Sequence, residues 1–216
     1  MPVIIRKAGA DDFERIRELQ QKIYPTIQPF SREQHEQHLR RFPAGQLIAE
    51  LDSCVVGAAS SLIVVWNDYG HAHSWKKVTG SGSFSTHNPN GRTLYGAEVF
   101  VDPEVRRHGI GRSLYAARKR LCRELNLRRI IASGRLPGYH RLAGEMSAEA
   151  YAMKVIWGDL DDPVLRFQLR EGVQFCGVIP DYLPTDVESC GYAALIVWLN
   201  SDFRIAGKRA VAPGKI

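Results

Sequence analysis

Arginines and glycines crowd one short stretch in the middle of the chain, Arg106-Arg107-His108-Gly109-Ile110-Gly111-Arg112. The glycines leave backbone N–H groups unshielded at the start of the helix that is predicted to follow. Free N–H groups and the positive end of a helix dipole attract anions, and the arginines add full positive charges beside them. The stretch therefore predicts a site for a phosphate or a pyrophosphate.

A strand and a helix are predicted on either side of this stretch. Leu94 to Val101 is rich in β-branched and aromatic residues, which favours a strand. Asp102-Pro103 ends that strand, because proline cannot donate to a ladder. Apolar residues then recur every three or four positions, as is typical of a helix: Ile110, Leu114, Ala117, Leu121 and Leu125. The anion site is therefore predicted between a strand and a long helix.

The stretch matches neither of two common phosphate-loop patterns. No Gly-Lys-Ser/Thr closes it, and the three-glycine spacing of dinucleotide-binding loops is missing. Arg106-x-x-Gly109-x-Gly111, preceded by Val101-Asp102-Pro103-Glu104 and followed by a predicted strand at Arg128 to Ala132, resembles the pyrophosphate loop of the GNAT acetyltransferase superfamily. The resemblance implies an α/β (α+β) fold with a central mixed, mostly antiparallel, splayed sheet flanked by helices. Two insertions are expected here.

Three further segments narrow the resemblance to the GNAT domains found fused to nitrilase-like amidohydrolases. They are Leu94-Tyr-Gly-Ala-Glu-Val-Phe-Val-Asp-Pro, Gly134-Arg-Leu-Pro-Gly-Tyr-His and Asp186-Val-Glu-Ser-Cys-Gly-Tyr192. In that subgroup the hydrolase follows the acetyltransferase. We expect a single acyltransferase domain over residues 1–200, a basic C-terminal tail over residues 201–216, and no hydrolase in this chain.

The superfamily's cofactor is acetyl-coenzyme A, so the resemblance implies where that cofactor contacts this chain. The pyrophosphate is expected on Arg106, Arg107, His108, Gly109, Ile110, Gly111 and Arg112. The backbone of Val99, Phe100 and Val101 is expected to pair with the pantetheine arm like an added strand, and an amide there can serve as the oxyanion donor. The implied activity is direct transfer of an acetyl or acyl group to the amine of a small molecule or peptide.

Proton transfer needs further residues, because an amine arrives protonated and a thiolate departs. Glu98 is the candidate general base, although strand alternation leaves open whether it faces the cofactor or a surface salt bridge. Many superfamily members use a tyrosine on the last helix as the general acid, and Gln168 stands at that position. Tyr139 and Tyr151 are the nearby general-acid candidates, with packing as their alternative role, and water could protonate the thiolate instead.

Glutamine cannot donate a proton productively to a thiolate. A second hypothesis is therefore a non-catalytic acyl-CoA-binding or regulatory module.

The long segment Asn67 to Thr93 is expected to form an insertion rich in Gly, Ser, His and Asn. It is either an acceptor-binding loop anchored by Trp75 and Phe84 or a surface insertion without chemistry. Its histidines match no standard ligand spacing, and no metal is expected. The second insertion, Gly134 to Asp161, contains a helix-like spacing.

Composition bounds the remaining possibilities. The 216 residues are 44% hydrophobic, enough for one sizeable core. No apolar run reaches membrane-spanning length and no signal pattern opens the chain, so we expect a cytoplasmic protein without membrane partners. The four cysteines form no C-x-x-C pair and are expected to be reduced. The net charge of +6 is concentrated between residues 104 and 135, but no nucleic-acid module accompanies it, so nucleic acid is not an expected partner. A homodimer is left open.

Overall fold

The computed structural model describes residues 2–105 and 108–205. Arg106, Arg107 and residues 206–216 of the expected tail lie outside the described residues. The helices are α1 (Phe13–Ile23), α2 (Arg32–Arg41), α3 (Trp75–Thr79), α4 (Ile110–Glu124), α5 (Ala148–Trp157) and α6 (Pro163–Arg170). The strands are β1 (Ile4–Lys7), β2 (Gln46–Leu51), β3 (Cys54–Val64), β4 (Thr93–Val101), β5 (Arg129–Arg135), β6 (Gln174–Ile179) and β7 (Ala193–Leu199). Within the described residues, no helix is long and apolar enough to cross a membrane.

The described strands form one seven-stranded sheet in the order β1-β2-β3-β4-β5-β7-β6. The β4–β5 pair is parallel, and the other neighbouring pairs are antiparallel. Helices cover both faces of the sheet. The predicted mixed, mostly antiparallel architecture is confirmed.

Several element boundaries follow from local chemistry. The Ser31 side chain accepts from the Gln34 amide and the Gln34 side chain accepts from the Ser31 amide, forming a capping box at the start of α2. Asp162 caps α6 by accepting from the amides of Val164 and Leu165. These caps fix where the two helices begin.

The sheet opens between its two central strands. The β4–β5 ladder pairs Thr93 to Gly96 with Arg129 to Ala132 and, in the described residues, extends no further. Beyond this point β4 continues to Val101 against β3 alone, and β5 continues to Arg135 against β7 alone. The two strands therefore diverge and leave a gap in the middle of the molecule, which is the expected splay.

The first insertion contributes to the core. Phe84 is fully buried with Leu62, Val78 and Tyr95. The segment also contains α3, a short helix that the sequence pattern did not predict, with Ser74 as its N-cap. The insertion is therefore a packed part of the domain and not a detached surface loop.

Candidate active site

A cleft of about 1070 Å³ occupies the gap between the diverging strands. Its walls come from the ends of β4 and β5, from α4 and α6, from the loop after α1, from the first insertion and from residues 181–185. Pockets of 300–1000 Å³ commonly bury most of a drug-sized ligand. This cleft has room for the reactive end of a larger ligand together with a second molecule.

Glu98 faces this cleft because β4 contains a β-bulge. Ser60 pairs with Glu98 and Ser61 pairs with Gly96, which leaves Ala97 as the extra residue. Ala97 packs on the side of the sheet that α3 covers, and the Glu98 carboxylate meets α1 on that same side. Val99 then returns to the α4 side. The bulge therefore directs the Glu98 side chain into the cleft, an orientation that strand alternation alone could not predict.

The Glu98 carboxylate is held by one amide side chain. Nε2 of Gln20 in α1 lies 2.9 Å from its Oε1 and 2.8 Å from its Oε2. Withdrawal from water raises the pKa of Glu98 to about 7, because the Gln20 hydrogen bond and the Arg118 charge oppose that rise only in part. A carboxylate with this pKa can accept a proton near neutral pH.

Arg118 supports the bulge from the α4 side. Its side chain is buried, with Nε 3.0 Å from Ser61 Oγ and one terminal nitrogen 3.2 Å from the Ser60 carbonyl and 2.5 Å from the Glu98 carbonyl. Gly96 makes room for this guanidinium, since a Cβ there would lie 3.0 Å from it. The sequence placed Arg118 in a basic patch, whereas the structure places it inside, at the wall of the cleft.

Aromatic side chains line the opposite part of the cleft and bond to β4. The Tyr24 hydroxyl donates to the Val99 carbonyl at 3.1 Å, and the Trp75 indole donates to the Ala97 carbonyl at 3.0 Å. Trp75 also stacks on Phe30, with ring centroids 5.9 Å apart. Trp75 therefore lines the cleft, and acceptor binding by the first insertion stays a prediction.

The start of α4 presents backbone amides that have no hydrogen-bond partner among residues 2–105 and 108–205. Gly109 is the N-cap in a left-handed conformation, with φ of 72°, and no side chain of a described residue caps the helix. The first intrahelical hydrogen bond joins the Ser113 amide to the Gly109 carbonyl, so the amides of residues 110 to 112 precede it. A Cβ on Gly109 would meet no atom of the described part of the chain within 4 Å. This geometry suits an anion.

The predicted cofactor residues differ in where they lie. Gly111 lets α6 approach α4, since a Cβ there would lie 2.9 Å from the Phe167 ring. The exposed Arg112 side chain lies 3.6 Å from the Glu171 carboxylate at the end of α6. His108 hydrogen bonds through Nδ1 to the Val105 carbonyl. Of the three β4 residues, Val99 lines the cleft and Val101 extends the same strand, while the Phe100 side chain packs in the core beside α1.

The two general-acid candidates lie in the core instead of the cleft. The Tyr139 hydroxyl donates to the Met146 carbonyl at 3.1 Å. The Tyr151 hydroxyl donates to the buried Asp162 carboxylate at 2.9 Å. Neither tyrosine is among the residues that line the cleft. Their protons are committed to internal hydrogen bonds, so the structure does not bring them to the site where sequence reasoning expected them.

The sequence patterns also failed to identify several cleft residues, among them Gln20, Tyr115 and Arg118. Gln20 and Tyr115 sit among ordinary amphipathic helix positions, and nothing local distinguishes them. Of these three, only Arg118 stands out in the sequence. It follows Ala117 on the apolar face of α4, where an arginine is unexpected. Among residues 2–105 and 108–205, no group of three or more His, Cys, Asp or Glu side chains is placed to hold a metal ion.

Comparisons with known proteins agree with this geometry. The sequence model of the acetyltransferase (GNAT) family matches residues 13–141. YkwB of Bacillus subtilis (strain 168), an uncharacterized N-acetyltransferase, is 35% identical over 206 residues, which are 94% of this chain and 91% of YkwB. YhcX of the same strain, a probable hydrolase, is 42% identical over 201 residues, which are 93% of this chain and 39% of YhcX. The chain thus spans about two fifths of the length of YhcX.

A solved structure shares the fold at lower sequence identity. The GphF GNAT-like decarboxylase in complex with isobutyryl-CoA has a TM-score of 0.77 and 24% identity, and the match covers 91% of this chain and 98% of that chain. The family model matches more than half of the chain, and YkwB matches it over most of both lengths. The chain belongs to the acetyltransferase (GNAT) family.

Proposed function

We propose that this protein transfers an acetyl or other short acyl group from acyl-coenzyme A directly to the amine of a small molecule or peptide. The observation that carries the proposal is the Glu98 carboxylate, which faces the central cleft and has a pKa of about 7. A base with that pKa is half deprotonated at neutral pH and can take a proton from a bound ammonium group.

Two features support coenzyme A as the donor. The amides of residues 110 to 112 have no partner among the described residues and lie at a helix N-terminus, which suits an anion such as a pyrophosphate. The edge of β4 beyond Gly96 faces the gap without a β5 partner in the described residues, so an extended pantetheine arm can pair there as an added strand. The two features lie at successive points of the chain, on the strand and on the helix that follows it.

The reaction follows from this arrangement. The pantetheine arm along β4 brings the thioester to the bulge, where the amine approaches from the side of Glu98. Glu98 removes a proton from the amine, directly or through one water, and the amine nitrogen attacks the thioester carbon. A β4 amide stabilises the oxyanion of the tetrahedral intermediate. Collapse of that intermediate breaks the carbon–sulfur bond and releases coenzyme A, with no covalent bond to the protein.

The test combines binding with turnover. Isothermal titration with acetyl-CoA measures donor binding, and a thiol-release assay over a panel of amino acids, polyamines and short peptides measures transfer. Saturable binding together with amine-dependent thiol release is the expected result. Binding without release for any amine would instead favour a non-catalytic acyl-CoA-binding module, for which Gln168 at the usual general-acid position is the motivating observation. Absence of binding would refute both.

A further inference from the structure

One tyrosine of the cleft keeps its hydroxyl proton available. Three tyrosines line the cleft. Tyr24 donates to the Val99 carbonyl, and Tyr182 shares a 2.6 Å hydrogen bond with Tyr95. Tyr115 of α4 instead accepts a hydrogen bond at 3.2 Å from Nε2 of Gln168. Among residues 2–105 and 108–205 the Tyr115 hydroxyl has no other hydrogen-bond partner, so its proton can go to a ligand.

The burial of Gln168 beside Tyr115 leaves one of its polar atoms without a partner. The residue is only 4% exposed, and its Oε1 atom is buried without a hydrogen-bond partner. An unsatisfied buried acceptor destabilises the folded state. Gly134 of β5 lies directly against the amide, since a Cβ there would lie 2.1 Å from Oε1. The surroundings therefore hold the Gln168 amide in place, and an apolar side chain would avoid the unsatisfied oxygen.

We propose that Tyr115 is the catalytic acid that protonates the departing coenzyme A sulfur, and that Gln168 is the positioning residue that orients its hydroxyl. The assignment rests on the proposed acyl transfer. Glu98 reaches the cleft from the α1 side of the sheet and Tyr115 from the α4 side. The proton is thus taken from the amine on one side of the thioester and returned to the sulfur on the other.

The proton balance closes over the full reaction. Glu98 takes one proton from the ammonium group before the nitrogen attacks, and the nitrogen gives a second proton to water once the carbon–nitrogen bond has formed. When the carbon–sulfur bond breaks, its electron pair goes to sulfur, and the Tyr115 proton follows to give the free thiol. The remaining tyrosinate and the protonated Glu98 return to their starting states by exchange with water, so the net products are an amide, coenzyme A and one proton.

Arg118 assists this step through its charge. Its guanidinium carbon lies 5.6 Å from the centroid of the Tyr115 ring, where it stabilises negative charge that develops on the phenol. Burial raises the pKa of Tyr115 above its ordinary value and keeps the hydroxyl protonated at neutral pH, and the Arg118 charge and the Gln168 hydrogen bond oppose that rise in part.

The test compares two tyrosines. Tyr115→Phe removes the proposed acid, and Tyr139→Phe removes a buried hydroxyl outside the cleft as the matched control. We expect kcat to fall about 100-fold in Tyr115→Phe, the lower end of the range for general acid catalysis, with KM for acetyl-CoA unchanged. Tyr139→Phe should keep the unmodified kcat. Equal kcat values in the two variants, both folded by circular dichroism, would overturn the assignment.

Gln168→Leu tests the positioning role. It should lower kcat without changing KM, and in the Tyr115→Phe background it should cause no further loss, because the two side chains act as one unit. Independent, multiplying losses would refute the coupling. Amine-dependent thiol release by the unmodified protein separates this inference from the proposed function. Without release, both fail; with release and an unaffected Tyr115→Phe variant, only the acid assignment fails.

Discussion

Replacing Glu98 with glutamine tests the chemistry of the cleft most directly. Glu98→Gln keeps the shape of the side chain and an oxygen that can accept from Gln20, but it removes the base. In the unmodified protein, kcat/KM should rise with pH up to about 7, where Glu98 loses its proton, and level off above. In the variant, kcat/KM should fall about 100-fold and that rise should disappear.

The same substitution has a predicted effect on stability. The pKa of Glu98 rises from its ordinary 4.5 to about 7, a difference of about 2.5 that corresponds to about 3 kcal/mol. A group whose pKa is raised by folding imposes no cost at low pH, where it is protonated in both states. The cost grows as pH rises from 4.5 to 7 and is complete above. Glu98→Gln should therefore raise the free energy of unfolding by up to about 3 kcal/mol at alkaline pH and hardly at all near pH 4.5.

Urea denaturation at these two pH values measures the effect, alongside pH–rate profiles of the same protein samples. Glu149→Gln, an exposed residue in the first turn of α5, is the matched control and should change neither quantity. A stability gain that is equal at both pH values would show that burial does not raise the pKa of Glu98. A retained rise of kcat/KM with pH in Glu98→Gln would remove Glu98 as the base.

Two further substitutions test the anion site and the packing beneath the cleft. Gly109→Glu should weaken acetyl-CoA binding about tenfold or more by placing a carboxylate before the amides at the start of α4, as measured by isothermal titration. Gly158→Glu, at another open left-handed glycine, carries the same backbone strain and should bind normally, so equal losses would refute the anion site. Asp162→Ala should cost about 3 kcal/mol of unfolding free energy, because it removes a helix cap and orphans the Tyr151 hydroxyl and the Gly138 amide. Asp161→Ala, next to it but exposed, should cost little in the same urea titration, and similar losses in the two would contradict the capping argument.

Much of the fold is readable from the sequence because its signals are local. The apolar spacing of α4, the Ser31 capping box and the stop at Asp102-Pro103 each act over a few residues. The expected strand from Leu94 to Val101 is observed from Thr93 to Val101. The family resemblance then supplied the order of elements and the splay, which short-range patterns do not encode.

The inner arrangement of the site depends on contacts between distant segments. The side on which Glu98 lies depends on the extra residue at Ala97, which Arg118 supports from another element through the Glu98 carbonyl. The sequence around Tyr115 is that of an ordinary amphipathic helix and does not mark this residue. Gln168 reaches Tyr115 only because α6 packs closely against Gly134. The sequence could not show that the Tyr151 hydroxyl donates to Asp162, because that contact forms only in the folded chain.

The gap between β4 and β5 also divides the sheet mechanically. One half is β1 to β4 and the other is β5 to β7, and the ladder between them joins only four residues on each side. A ligand that lies along β4 in this gap would contact both halves of the sheet at the point where the hydrogen bonds between β4 and β5 end. Substrate binding would then connect the two halves of the sheet, and the backbone amides along the gap should exchange with solvent more slowly whenever the cleft is filled.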